Sequence, residues 1–260
     1  MGSIASFAAF TLVSYILIVL HIPFLIVPIF IISLILITKP FIKTLKTLNI
    51  KLNLQTIIIL IVFTIGIAGQ LAVISPSGIF KNGDLLFWSA HGHDGTWHIA
   101  LMEEIQRGWP FQNPIFAGEK LTNYHFFSDI LPAMVGKYLP ISTMESVTNL
   151  NLYFRIFPFF YSLFLGASVY FLTKKLTKSF SASIWATIFT YFSGSFGFIL
   201  TYLKNKTIGG ESIFWATQPQ SASGNPPQII SDFLVLAAIY FIILLGEQKD
   251  KTKSRILFAI

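Results

Sequence analysis

The sequence predicts an all-α fold: a polytopic transmembrane helix bundle with short juxtamembrane helices in a long first external loop. Three observations predict it. Of 260 residues, 54% are hydrophobic and only 11% charged, against about 25% charged in an ordinary soluble domain. The apolar residues gather in long runs, and the basic ones gather in short connections between them. Mean hydropathy is +0.70 and Phe alone accounts for 27 residues, which leaves too little polar surface to wrap a water-soluble globule. A soluble enzyme and a disordered chain are excluded. The absence of cysteine excludes a disulfide framework, thiolate metal ligands and a Cys nucleophile.

Backbone groups in hydrocarbon must be satisfied internally, so each long apolar run reads as helix. The first, Ile4 to Thr38, is broken by Pro23 and Pro28. As one straight helix it would reach roughly 52 Å at the usual rise, far beyond a hydrocarbon core of ~30 Å. It therefore reads as two short spans turning near His21-Ile22-Pro23, with one kinked, tilted span as the alternative. The next run, Gln55 to Ser75, ends at the turn signal Ser75-Pro76-Ser77-Gly78. Leu150 to Thr173, Phe180 to Leu203 and Ile229 to Gly246 follow as single spans. The closing Ile256 to Ile260 resembles the start of a further span, so the chain reads as the N-terminal portion of a longer one. Three segments result: 1–54, a membrane hairpin with a basic loop; 55–246, the transmembrane core including the external loop 76–149; and 247–260, a basic loop with the start of a truncated span.

Lys39, Lys43, Lys46 and Lys51 fill one connection. Lys174, Lys175 and Lys178 fill a second, and Lys249, Lys251, Lys253 and Arg255 a third. The positive-inside rule makes all three cytoplasmic and the segments between them external, in a plasma membrane. The net charge of +7 is thus a topology signal rather than a nucleic-acid footprint, and membrane lipids are the expected surroundings. The N-terminus lacks a basic leader, so the first run reads as a retained anchor.

The external loop 76–149 holds four of the five histidines: His91, His93, His98 and His125. A helix is predicted to open at Asp94-Gly95-Thr96-Trp97-His98 and to stop at Gly108-Trp109-Pro110. Asp94, His98, Leu101 and Ile105 share one face of it, and Glu103 pairs with Arg107 at i,i+4. Asp94 suits an N-cap as well as it suits a catalytic base. A second helix is predicted from Asn123 as N-cap, through Tyr124, His125 and Asp129 toward Pro132, with Asp129 fixing the His125 tautomer at i,i+4. His125 and Asp129 read more readily as a structural pair than as a catalytic dyad. Trp88, Trp97 and Trp109 read as an interfacial belt. His91-Gly92-His93-Asp94 lacks the spacing of a zinc site, and no metal ligands are assigned.

An acid just outside an early span, opening a surface helix in a long first external loop, resembles the GT-C glycosyltransferases. The string Asp94-xxx-His98 is similar to the acidic motif of protein O-mannosyltransferases and aminoarabinose transferases, with Gly95 where those families often carry a second acid. The likeness covers roughly residues 55–246. It implies transfer of a sugar from a polyprenyl-phosphate-linked donor to a glycan, lipid or protein acceptor on the extracytoplasmic side. It also implies Asp94 as the general base that deprotonates the acceptor. His98, His93, Tyr124, His125, Asp129, Arg155, Trp215 and Gln218 are the candidate substrate-binding residues. Arg155, just inside an apolar run, either meets the lipid phosphate or snorkels to headgroups. Trp215 would stack on a sugar and Gln218 bond its hydroxyls. No cofactor is read from the sequence, and a divalent metal is compatible with such a site. Two other functions fit the same map: a lipid-linked glycan flippase and an inactive truncated scaffold.

Overall fold

The computed structural model describes residues 1–47, 53–138, 148–193, 197–206 and 226–247. Among them the fold is helical, with one small hairpin. In chain order come α1 (Gly2–Val19), α2 (Ile26–Thr47), α3 (Leu54–Ile74), β1 (Ile79–Lys81), β2 (Asp84–Leu86), α4 (Asp94–Arg107) and α5 (Phe127–Tyr138). Then follow α6 (Asn149–Thr177), α7 (Phe180–Phe192), α8 (Gly197–Asn205) and α9 (Pro226–Glu247). Four of these, α1, α3, α6 and α9, are long and apolar enough to cross a membrane. The chain is a membrane protein.

The first apolar run breaks at His21-Ile22-Pro23, as expected, while Pro28 falls inside the first turn of α2 and interrupts nothing. His21 takes the left-handed conformation, φ 59°, and a 3-10 turn over Pro23–Leu25 leads into α2. Phe10 of α1 then meets Phe30 of α2 edge-to-face at 6.3 Å, as two antiparallel arms would. Pro226 and Pro227 stand in the first turn of α9, where a missing N–H costs no hydrogen bond.

The run Phe180 to Leu203 is not one span, contrary to expectation. α7 stops after 13 residues, with Ser193 extended at φ −70°, ψ 144°, and α8 starts afresh at Gly197. The polar string Ser193-Gly194-Ser195 inside an apolar run is the sequence cause. A hairpin follows α3, in a stretch for which the sequence reading assigns no element. β1 and β2 pair antiparallel, Ile79 with Leu86 and Lys81 with Asp84, around Asn82-Gly83. Both turn residues have positive φ, 55° and 91°, which Asn and Gly adopt at little cost.

The chain forms two compact units, neither continuous in sequence. One comprises Met1–Ala8, Ile59–Gly92 and Phe154–Ile260. In it α6 packs between α7 and α9. Tyr191 is its pin: the hydroxyl donates to the Ser162 carbonyl at 2.7 Å, and the ring lies flat against Gly66 and Gly166. A Cβ on Gly66 would fall 2.2 Å from Tyr191 Cδ2, and one on Gly166 2.0 Å from its hydroxyl, so only hydrogen fits at either place. Gln70, fully buried, donates to the Tyr191 carbonyl at 3.2 Å.

The other unit comprises Ala9–Ile58 and His93–Tyr153. Its interior is the seam between α4 and α5, filled by Leu101, Met102, Ile105, Ile130, Ala133 and Met134, all buried. Gln106 ties the seam by donating to the Ala133 carbonyl at 3.1 Å and to Asn149 Oδ1 at 3.0 Å. Tyr15, one turn from the end of α1, packs edge-on or tilted against Trp109, Phe126 and Phe127.

Candidate functional site

α4 forms as the 3.6-residue pattern requires, and its apolar stripe of His98, Leu101 and Ile105 is buried. The helix ends at Arg107, with Gly108 at φ 121° beyond it. The stripe does not extend to Asp94. That carboxylate stands 62% exposed at the first helical position, hydrogen-bonded to His93 Nδ1 at 2.7 Å. The N-cap is His93, which makes no side-chain cap, so the capping role for Asp94 is not what the structure contains. Nor does Glu103 hold Arg107. The guanidinium pairs with Glu104, one turn position on, because Glu104 is nearly buried and Glu103 is left to solvent.

The expected i,i+4 pair of His125 with Asp129 does not form. Asn123 takes a left-handed φ of 55°, residues 121–126 are not helical, and α5 begins only at Phe127. Without helix between them, the spacing carries no contact. Asp129 instead meets His98 of α4: Nδ1 lies 2.9 Å from Oδ2, with the side chains 5% and 1% exposed. Ser128 Oγ donates to the same carboxylate oxygen at 3.2 Å. The pair bridges the two helices of the seam.

The His98 ring is held on several sides. Tyr153 stacks on it with centroids 5.5 Å apart, and Tyr124 offers its hydroxyl 3.5 Å from Nε2. With the proton on Nδ1 facing the carboxylate, Nε2 is an acceptor for that hydroxyl. The result is a string of carboxylate, imidazole and phenol running from the buried seam to a half-exposed ring. Tyr124 itself stacks on exposed His125, centroids 4.4 Å apart, and meets Trp97 edge-on at 5.2 Å.

Burial dominates the electrostatics here. It pushes the Asp129 carboxyl above the usual carboxylate range, although the hydrogen bond and charge of His98, then Ser128 and His125, oppose it. Burial likewise raises the Tyr124 phenol, aided by the charges of Asp129 and then Asp94 and opposed by a hydrogen bond from Trp97.

Of the other predicted site residues, Arg155 belongs to the first unit. There it donates to the Ser77 carbonyl at 2.9 Å and the Gly78 carbonyl at 3.4 Å, clamping the turn after α3 to a π-type turn, Leu152–Ile156, in α6. Trp215 and Gln218 lie outside the described residues. Sequence reading missed that Ser77, just after α3, and His91, in the 3-10 turn Ser89–Gly92, are buried partners at 2.9 Å. It also missed Tyr153 and Ser128 around the His98–Asp129 pair. Tyr153 is far from His98 in the chain and invisible to local spacing, whereas Ser128 adjoins Asp129 and gains its role only from the contact that buries that carboxylate. Among the described residues no group of three or more His, Asp or Glu side chains converges as a metal site would.

Comparison with protein-family models, with characterised proteins and with solved structures gives no match to this chain.

Proposed function

We propose that the protein is a membrane glycosyltransferase of GT-C type. It would move a sugar from a polyprenyl-phosphate carrier to an acceptor on the extracytoplasmic side of the plasma membrane. One observation carries the reading. An exposed carboxylate, Asp94, stands on the first turn of a helix that a buried His98–Asp129 pair locks to its neighbour, in a connection between candidate membrane spans.

In this reading Asp94 takes the proton of the acceptor's hydroxyl or amine. The acceptor atom attacks the anomeric carbon, the bond from that carbon to the phosphate oxygen breaks, and the polyprenyl phosphate leaves with the electron pair. The phosphate is a good leaving group, so orientation and proton removal are what the protein must add. His93, 2.7 Å from the carboxylate, orients it. Tyr124 and His125, stacked on the exposed side of the seam, supply a flat surface and hydrogen-bonding edges for a sugar. His98 and Asp129, both buried, act behind them as positioning residues.

The test is sugar transfer by purified protein in proteoliposomes supplied with a panel of polyprenyl-phosphate sugars. Asp94→Asn is expected to lower turnover by about 10²-fold or more, with yield and melting temperature unchanged because the side chain is exposed. Undiminished turnover in that variant, or no turnover of any donor by the unsubstituted protein, overturns the proposal.

A further inference from the structure

Ile79, Phe80, Leu86 and Trp88 crowd four large apolar side chains into ten residues, and they are 43%, 71%, 45% and 60% exposed. They sit on the β1–β2 hairpin and just after it. A lone two-stranded hairpin is marginal in water, and one exposing these side chains adds a hydrophobic cost. Yet its root is firmly built. The Gly78 N–H donates to the Leu86 carbonyl at 2.8 Å, the Trp88 N–H donates to Ser77 Oγ at 3.0 Å, and Arg155 holds the Ser77 and Gly78 carbonyls.

The root also has a fixed level. α3 ends at Ile74, four residues before Gly78, and Arg155 stands in the opening turns of α6; both helices are long and apolar enough to cross a membrane. The hairpin therefore begins where two spans leave the bilayer. Its polar residues, Lys81, Asn82, Gly83 and Asp84, are all at the far end. Open strand edges cannot enter hydrocarbon, since their N–H and C=O groups would go unsatisfied. The headgroup layer accepts both such edges and aromatic side chains.

We propose that this hairpin is a lipid-binding element: its apolar root lies in the headgroup layer beside the ends of α3 and α6, and its Asn82-Gly83 tip stands in water. The partner is the bilayer itself. This surface does not depend on the glycosyl-transfer reading.

The chain has no cysteine, so single nitroxide labels report on one place each. In proteoliposomes, a label at Phe80→Cys is expected to collide more with oxygen than with a water-soluble nickel chelate, and one at Asn82→Cys the reverse. Brominated lipids should quench the Trp88 contribution, taken as the difference between the protein and Trp88→Phe. Both labels in water, with no quenching, overturns the proposal. So does a Phe80→Cys label shielded from both reagents and broadened by a neighbouring label, which would place a second copy of the chain on this surface. The quenching measurement leaves Phe80 in place, so misfolding of Phe80→Cys does not blunt the test.

Discussion

Asp129 is a carboxyl group whose burial outweighs its hydrogen bonds. Its folded pKa lies above the unfolded value of about 3.9. The folded state then binds the proton more tightly, so the contribution to stability is fully present below the unfolded pKa and is lost as pH rises through the folded one. Melting curves of the protein in detergent should show stability falling across that window, from about pH 4 upward. Asp129→Asn, which can still accept from His98, should flatten this part of the profile. Superimposable pH profiles would remove the argument. The residue-scale errors of sequence reading have one cause. Asn123 and His125 offered good local chemistry for a cap and an i,i+4 pair, but the backbone at Asn123 went left-handed, as Asn tolerates. The partner of Asp129 then came from 31 residues away in the chain. The stripe on α4 was legible because periodicity is local; the companion of His98 was not.

At the scale of elements, the early end of α7 has to be reconciled with an apolar setting. The last carbonyls of any helix lack intrahelical partners, and in hydrocarbon that is costly. Gln70 of α3 meets one of them, the Tyr191 carbonyl, at 3.2 Å. Gln70→Leu keeps the bulk and removes the donor, so it should destabilise the protein by about 1–2 kcal/mol. Unfolding midpoints in detergent would register this, and an unchanged midpoint would show that the contact contributes nothing. The Asn82-Gly83 turn was open to view in the sequence between two apolar pairs, and is among the strongest short hairpin signals. The reading of the loop rests on its two helices and leaves the stretch between α3 and α4 unassigned. The Ser-Gly-Ser interruption after Phe192 was equally visible, but a hydropathy run averages over three small residues.

The whole molecule is set by composition, which made the helical membrane fold readable before any contact was known. Direction across the bilayer is a separate question, and the basic connections speak to it. The positive-inside rule would put Lys178 on the cytoplasmic side and the segment carrying Lys120 outside. A membrane-impermeant maleimide applied to intact cells should label Lys120→Cys directly and Lys178→Cys only after permeabilisation. The opposite pattern would put Asp94 on the cytosolic side and end the proposed extracytoplasmic reaction. The partition into two units was not legible at all, because each unit gathers segments far apart in the chain.

α7 has one more effect. Thirteen residues make a rod of about 20 Å, some ten ångströms less than the ~30 Å of a typical hydrocarbon core. Trp185, Phe189 and Phe192 are exposed along one side of it. Were α7 to cross the bilayer alone, acyl chains beside so short an apolar wall would tilt or crumple to meet it, and the two leaflets would draw together there. Thin bilayers of short-chain phospholipid would then relieve an elastic stress that thick ones impose, and a higher melting temperature in the thinner bilayer is the sign to look for.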